Sequence, residues 1–400
     1  MALISKIKQL SSAYLDEIIE IRRKIHENPE LSFEEFKTGK YIQQKLTEYQ
    51  IPFKSGYVKT GISAIIEGKN PKSKTIALRA DIDALPILEK NKVEYCSKNA
   101  GIMHACGHDV HTASLLGTAK ILNELKNEFE GTVQLIFQPG EEKLPGGASL
   151  LIKEGIFNDT QPKSIFGQHV FPELEAGKVG FRPGMYMAST DEIYVTVKGK
   201  GGHGALPHTL VDPVLIASHL VVALQQLVSR QAKPEVPTVL SFGKVTANGA
   251  TNVIPNEVRL EGTFRTMDET WREDAHQKMV KLATSIAEGM GGSCDFEIRK
   301  GYPFLTNDIE LTNRAIAHAE AFLGKENVVE LDLRMTAEDF AYYSQILPAC
   351  FYRLGVRNET KGIISQVHTD TFDIDESALK TSIGLMCWLT INELQIDNQN

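Results

Sequence analysis

The segment MHACGHDVH, Met103 to His111, gathers Cys106, His108 and Asp109 together with His104 and His111. Thiolate, imidazole and carboxylate are the ligands of zinc and its borderline neighbours. Gly107 lets the backbone fold closely enough to put Cys106 and His108 on one tight turn. Cys-x-His is not a structural zinc spacing, so further ligands must come from elsewhere in the chain. The alternative is a loop with solvated histidines and one buried cysteine. A second segment, IFQPGEEK from Ile136 to Lys143, ends a strand at Gln138, turns at Pro139-Gly140 and projects Glu141 and Glu142. Carboxylates at a strand's carboxyl end lie where α/β sheets place their sites. One can bind a metal while the other takes a proton from water. Adjacent glutamates are also common on surfaces, but this pair follows a buried-looking strand. In ALRADIDALP, Asp81 and Asp83 are two apart and face the same side of a strand. They could orient a ligand histidine or a glutamate base, or form only a polar strand exit.

The remaining histidines say less. His169 in FGQHV and His368 in SQVHTD, taken singly, read as hydrogen-bonded structural residues. His203 lies in the glycine-rich KGKGGHGALPH, which lacks the Lys-Ser/Thr of a phosphate-binding loop. His26, His219, His276 and His318 lie in helical stretches and take no role.

These residues need elements to position them. Two helices are predicted to open the chain, the second entered through a Ser32–Glu35 capping box and running to about Tyr49. Strands at Ile62–Glu67, Thr75–Arg79, Thr132–Gln138 and Ser164–Gln168 alternate with helix, notably from about Thr112 to Leu125. That alternation predicts a largely parallel sheet covered on both faces. From about Thr190 to Arg299 the order changes to strand, helix, strand, strand, helix, strand. This is the βαββαβ order of a ferredoxin-like unit. Gly-Pro segments at Phe181–Gly184 and Gly301–Pro303 would be its hinges. The expected architecture is α/β: a discontinuous catalytic domain, residues 1–183 and 303–400, with an inserted ferredoxin-like domain at 184–302. The tail Ile396–Asn400 reads as a frayed end.

The 400 residues are 42% hydrophobic and 24% charged, an ordinary globular mixture with net charge −8. That balance argues against nucleic acid or an anionic membrane as the main partner. No run approaches the roughly 18 consecutive apolar residues of a bilayer span. The first residues read as an amphipathic helix, not a signal peptide, which points to the cytoplasm. Five scattered cysteines are too few for a disulfide framework. Cys96, Cys294, Cys350 and Cys387 need no functional account.

Taken together, RADIDALP, MHACGHDVH, QPGEE, GQHV, GGHGALPH, TNVIPNEV and QVHTD, in this order, resemble the aminoacylase/carboxypeptidase-G class of metallopeptidases. The chain is most similar to the amidohydrolase branch: hippurate hydrolases, N-acyl-amino-acid amidohydrolases and plant auxin-conjugate hydrolases. The resemblance covers about Glu17 to Leu394. It implies Cys106, His108, Glu142, His169 and His368 as ligands of one or two divalent ions, the cysteine near or between both. It implies Glu141 as general base and Asp83 as the aspartate orienting a ligand. His203 would reach a neighbouring subunit's site and polarise the scissile carbonyl, and Asn252 would touch the substrate. The inserted domain would be lid and dimerisation surface, giving a homodimer. Two departures stand out. Carboxypeptidase-type relatives carry a histidine where Asp81 stands, which leaves Asp81 without a role. The glutamate pair is usually preceded by alanine and followed by glycines, whereas here Gly140 precedes it and Lys143-Leu144-Pro145 delay Gly146 and Gly147.

The expected reaction is metal-assisted hydrolysis of the amide bond of an N-acyl amino acid, a small molecule with a free carboxylate. Zinc, cobalt, nickel and manganese all suit the ligand types. A dipeptidase, a carboxypeptidase or an N-acetyl-diaminopimelate deacetylase would use the same centre. A non-catalytic metal-binding protein is the reading from another class, disfavoured because every expected position is filled.

Overall fold

The computed structural model describes residues 2–396, which divide into two compact units. The first comprises Met1–Gly184, Thr306–Asp332 and Asp339–Asn400; the second comprises Met185–Leu305 and Leu333–Glu338.

The first unit is built on an eight-stranded sheet. Its spatial order is Phe53–Tyr57, Gly61–Glu67, Thr132–Gln138, Thr75–Asp81, Ile165–Glu175, Ala349–Arg357, Val179–Phe181, Val328–Glu330. The four central strands are mutually parallel, and Gly61–Glu67 on one side and Val179–Phe181 on the other join them antiparallel. Every residue of Thr132–Gln138 is buried, as expected of a parallel strand covered on both faces. Register places Asp81 opposite Gln138, Arg79 opposite Gly167, and Arg353 opposite His169. The carboxyl ends of the central strands therefore bring the chemical segments to one level. The helix His108–Glu124 packs against the Thr75–Asp81 strand and the helices Leu15–His26 and Ala378–Gln395, closing the main core around Leu78, Leu115, Ile121 and Ile383.

Three elements differ from the sequence reading. The opening helix is two, Leu3–Ala13 and Leu15–His26, broken at Tyr14. Ser11 and Ser12 donate back to the Ile7 and Lys8 carbonyls, a pattern that bends helices. The Ser32–Glu35 pair is not a capping box. Helix Phe36–Glu48 carries no side-chain cap, and Ser32 donates to Asp83 instead. The helix after MHACGHDVH starts at His108, not near Thr112, because left-handed Gly107 (φ 84°, ψ 18°) turns the chain straight into it.

In the second unit four antiparallel strands stand in the order Thr238–Thr246, Glu257–Thr266, Asp191–Lys198, Ser293–Lys300. Helices Pro213–Gln226 and Glu269–Gly289 alternate with them in the succession strand, helix, strand, strand, helix, strand. Ile216, Leu220 and Leu224 of the first helix and Met279 and Ala283 of the second bury against Val195, Val197 and Leu260. The helical stretch Pro213–Gln231 has a mean hydropathy of 1.2, enough by length and composition to cross a membrane. Its buried stripe is spent on this sheet.

Candidate metal centre

Cys106 lies on the turn before the His108 helix and is the hub of the cluster. Its Sγ is 3.5 Å from His169 Nε2 and 3.3 Å from His368 Nε2. His169 comes from the Ile165–Glu175 strand. His368 comes from a loop whose backbone is tied to the cysteine turn by its N–H to the Ala105 carbonyl, 2.7 Å. His368 takes a left-handed φ of 63°, uncommon for a residue with a Cβ, and that tie holds it there. Glu142 Oε1 is 3.2 Å from His368 Nε2 and 4.0 Å from His108 Nε2, and Glu141 Oε2 is 4.0 Å from the same His108 nitrogen.

Asp83 organises this arrangement. One oxygen meets His108 Nδ1 at 3.1 Å; the other accepts from Ser32 Oγ at 2.6 Å and from the Glu142 N–H at 3.0 Å. With Nδ1 engaged, His108 presents Nε2 to the cluster. The glutamate turn is held from behind by Glu35, which accepts from the Gly140 N–H at 2.9 Å and from Thr60 Oγ1 at 2.7 Å. Gly140 is required there: φ is +63°, and a Cβ would come within 2.3 Å of the Phe33 ring.

The electrostatics are those of a cluster built around cations. Burial, reinforced by Glu142, Glu141 and Asp81, pushes the Cys106 thiol well up. Burial would depress His108, but the Asp81 and Asp83 carboxylates outweigh it and raise it to about 10. Burial and the Arg353 guanidinium hold His169 well below the usual imidazole range. His108 Nε2 and Glu142 Oε1 are among the buried atoms that form no hydrogen bond, Glu142 Oε1 meeting His368 Nε2 only as an ion-pair contact at 3.2 Å. Such atoms are costly unless something else satisfies them. Cys106, His108 and His169 form one group whose ligand atoms lie within 4.8 Å of one another; Cys106, Glu142 and His368 form another. Two groups sharing one sulfur fit a pair of divalent ions, and a cation would reverse the thiol's preference for its proton.

The cluster thus brings together Cys106, His108, Glu141, Glu142, His169 and His368, with Asp83 behind them. His203 and Asn252 lie in the second unit, side by side: Val253 pairs with His203, and the Asn252 carbonyl accepts from the Gly204 N–H at 2.9 Å. Sequence reasoning missed Ser32 and Glu35, whose three-residue spacing imitates a helix cap, and left Asp81 and His111 unassigned. These two meet at 2.6 Å.

A mixed thiolate, imidazole and carboxylate cluster beside a further carboxylate, at the carboxyl ends of parallel strands, defines a metal-dependent hydrolase. Comparison with known proteins specifies which. Residues 77–390 match the model of peptidase family M20/M25/M40. The N-acetylcysteine deacetylase of Bacillus subtilis is 39% identical over 384 residues, 96% of this chain and 98% of its own. Thermostable carboxypeptidase 2 of Saccharolobus solfataricus is 38% identical over 383 residues, 95% and 96% of the two chains. The crystal structure of the Bacillus subtilis YXEP protein, described as a dinuclear metal binding peptidase, superposes with a TM-score of 0.83 at 36% identity, covering 96% of this chain and 99% of that one. The chain belongs to the peptidase M20/M25/M40 family.

Proposed function

We propose that this protein hydrolyses the amide bond of N-acyl amino acids, releasing a carboxylic acid and a free amino acid. The observation that carries the reading is the Cys106 sulfur, set between two imidazole nitrogens at 3.5 and 3.3 Å, beside the paired Glu141 and Glu142. Cys106, His108, Glu142, His169 and His368 would hold the ions. Divalent ions bound there supply Lewis acidity and lower the pKa of water towards about 7.

Glu141 is the general base. It accepts a proton as water adds to the acyl carbon, and returns it to the amide nitrogen as the carbon–nitrogen bond breaks. Asp83 holds His108 in one orientation, so the two roles of the glutamate pair stay separate. His203 stabilises charge on the carbonyl oxygen and Asn252 contacts the substrate, both acting on the neighbouring subunit of a homodimer. Support for a dimer comes from exposed Val214, Leu215 and Val222 on the Pro213–Gln226 helix and from Thr238–Thr246, an edge strand with Val239 and Val245 exposed. Light scattering in solution should give twice the chain mass; a monomer would remove His203 from the reaction. Five free cysteines fit a reducing, cytoplasmic setting.

The test is hydrolysis of N-acetyl amino acids, hippurate, N-acetyl-diaminopimelate and plain dipeptides after metal stripping and reconstitution. Metal-dependent turnover of the acylated compounds is expected. Activity on dipeptides alone would favour the peptidase reading, which the carboxypeptidase relative supports. Glu141→Gln should keep its metal and lose roughly 100- to 10,000-fold in kcat. Bound metal with near-normal turnover would remove Glu141 as base.

A further inference from the structure

Asp81, His108 and His111 also lie close enough to suggest a ligand group of their own. The hydrogen bonds argue otherwise. His111 Nε2 accepts the Val170 N–H at 2.9 Å, so that nitrogen carries no proton and its lone pair is spent. Nδ1 must then carry the proton, and it meets Asp81 Oδ1 at 2.6 Å. Both nitrogens are engaged, and only one tautomer satisfies both bonds. Asp81 is equally committed. Its second oxygen takes Arg79 Nη1 at 2.5 Å, and Arg79 is braced by Gln138 Oε1 at 2.9 Å and Asp339 Oδ1 at 2.7 Å.

What this chain of contacts ends on is His169. Val170 follows it directly, and the Val170 carbonyl accepts from His169 Nδ1 at 2.8 Å. Holding Val170 through its N–H fixes the carbonyl that sets the His169 tautomer and leaves Nε2 facing Cys106. The His111 ring also packs on the His169 ring, with centroids 4.6 Å apart. All of these side chains are buried. We infer that Arg79, Asp81 and His111 form a positioning relay that orients His169 as a metal ligand, acting through the Val170 backbone. His108 is oriented directly by Asp83; His169 is oriented at one remove by Asp81. This gives Asp81 a supporting role in place of a coordinating one.

The inference rests on His169 holding a metal, and the experiment separates the two ideas. Cobalt(II) is titrated into metal-stripped wild type, His111→Leu and His111→Gln, reading bound equivalents, affinity and the visible thiolate–cobalt spectrum. The Gln amide can donate to Asp81 and accept from Val170, which Leu cannot. Loss of an outer hydrogen-bonding partner typically weakens metal binding about 10- to 100-fold. His111→Leu should show that loss at one of the two positions with an altered spectrum, and His111→Gln should recover most of it. Nitrogen-15 spectra of the metal-stripped wild type should show His111 protonated on Nδ1, a readout that survives if the Leu variant fails to fold. Wild-type affinity and spectrum in His111→Leu, or His111 protonated on Nε2, would overturn the relay alone. Wild type binding no cobalt would overturn the metal reading and the relay with it.

Discussion

Gly107 is the residue on which the geometry of the cysteine turn depends most directly, and Gly107→Ala tests it. Two costs can be worked from the structure. At φ 84° and ψ 18° an alanine sits in the left-handed region, which costs roughly 1–2 kcal/mol. Its Cβ would also come to 2.5 Å from Val170 Cγ2 and 3.1 Å from Cγ1. Val170 is buried and its N–H is held by His111, so it cannot swing aside freely. Overpacking of this kind costs about 1–3 kcal/mol. The sum, about 2–5 kcal/mol, should appear in denaturant unfolding of the metal-free protein, where no bound ion masks it. Val170→Ala removes both γ-carbons and leaves the Val170 Cβ at 3.4 Å, an ordinary contact. Alone it should cost about 2 kcal/mol for the lost methyls. In the double variant the clash vanishes and only the backbone term remains. The two substitutions should therefore couple favourably by about 1–3 kcal/mol. Additivity within about 0.5 kcal/mol would refute the reasoning, because it would mean the alanine methyl never meets Val170.

Two further tests probe buried charge. Burial and the nearby Asp83 carboxylate push Glu35 up to about 7 from 4.5. A carboxyl raised on folding binds its proton more tightly in the folded state, so its ionisation removes stability. The loss begins near pH 4.5, grows to about 3 kcal/mol by pH 7 and is constant above. Glu35→Gln should flatten the fall in stability between pH 5 and 8, and an unchanged slope would show that Glu35 titrates normally. Arg22 is buried between Asp109 at 2.7 Å, Asp373 at 2.8 Å and the more distant Glu376 at 3.5 Å. Arg22→Leu strands the Asp109 carboxylate with only His26 beside it, and should cost about 3–5 kcal/mol in unfolding experiments. A cost under about 1 kcal/mol would mean water reaches Asp109 once the guanidinium is gone.

Part of the candidate cluster was legible in the sequence because it lies in short runs, whereas His169 and His368, taken singly, read as structural histidines. Cys106 and His108 flank a single glycine, and Glu141 and Glu142 follow a strand and a turn, so local chemistry and local structure point the same way. The supporting layer was not legible, because its contacts are tertiary. Ser32 lies far along the chain from Asp83, and its distance from Glu35 mimics a cap. Asp81 and His111 belong to a strand and a helix that meet only after folding. The helix boundaries failed for a related reason: Gly107 allows a helix to begin inside a motif that reads as loop. These misses share a physical pattern. Gly107 and His368 hold left-handed backbone, Glu35 is a carboxyl held partly protonated, and His108 and Glu142 keep buried atoms without a hydrogen bond. Each lies within or directly behind the cysteine cluster, although positive φ also occurs elsewhere, as at Gln50, Asn70 and Gln161, and unpaired buried atoms also occur at Ser114, Thr118 and Tyr352. Strain and unpaired polarity persist only where the surrounding fold enforces them. Arg79, Asp81, Asp83, Glu35 and the buried strands behind them supply that enforcement here.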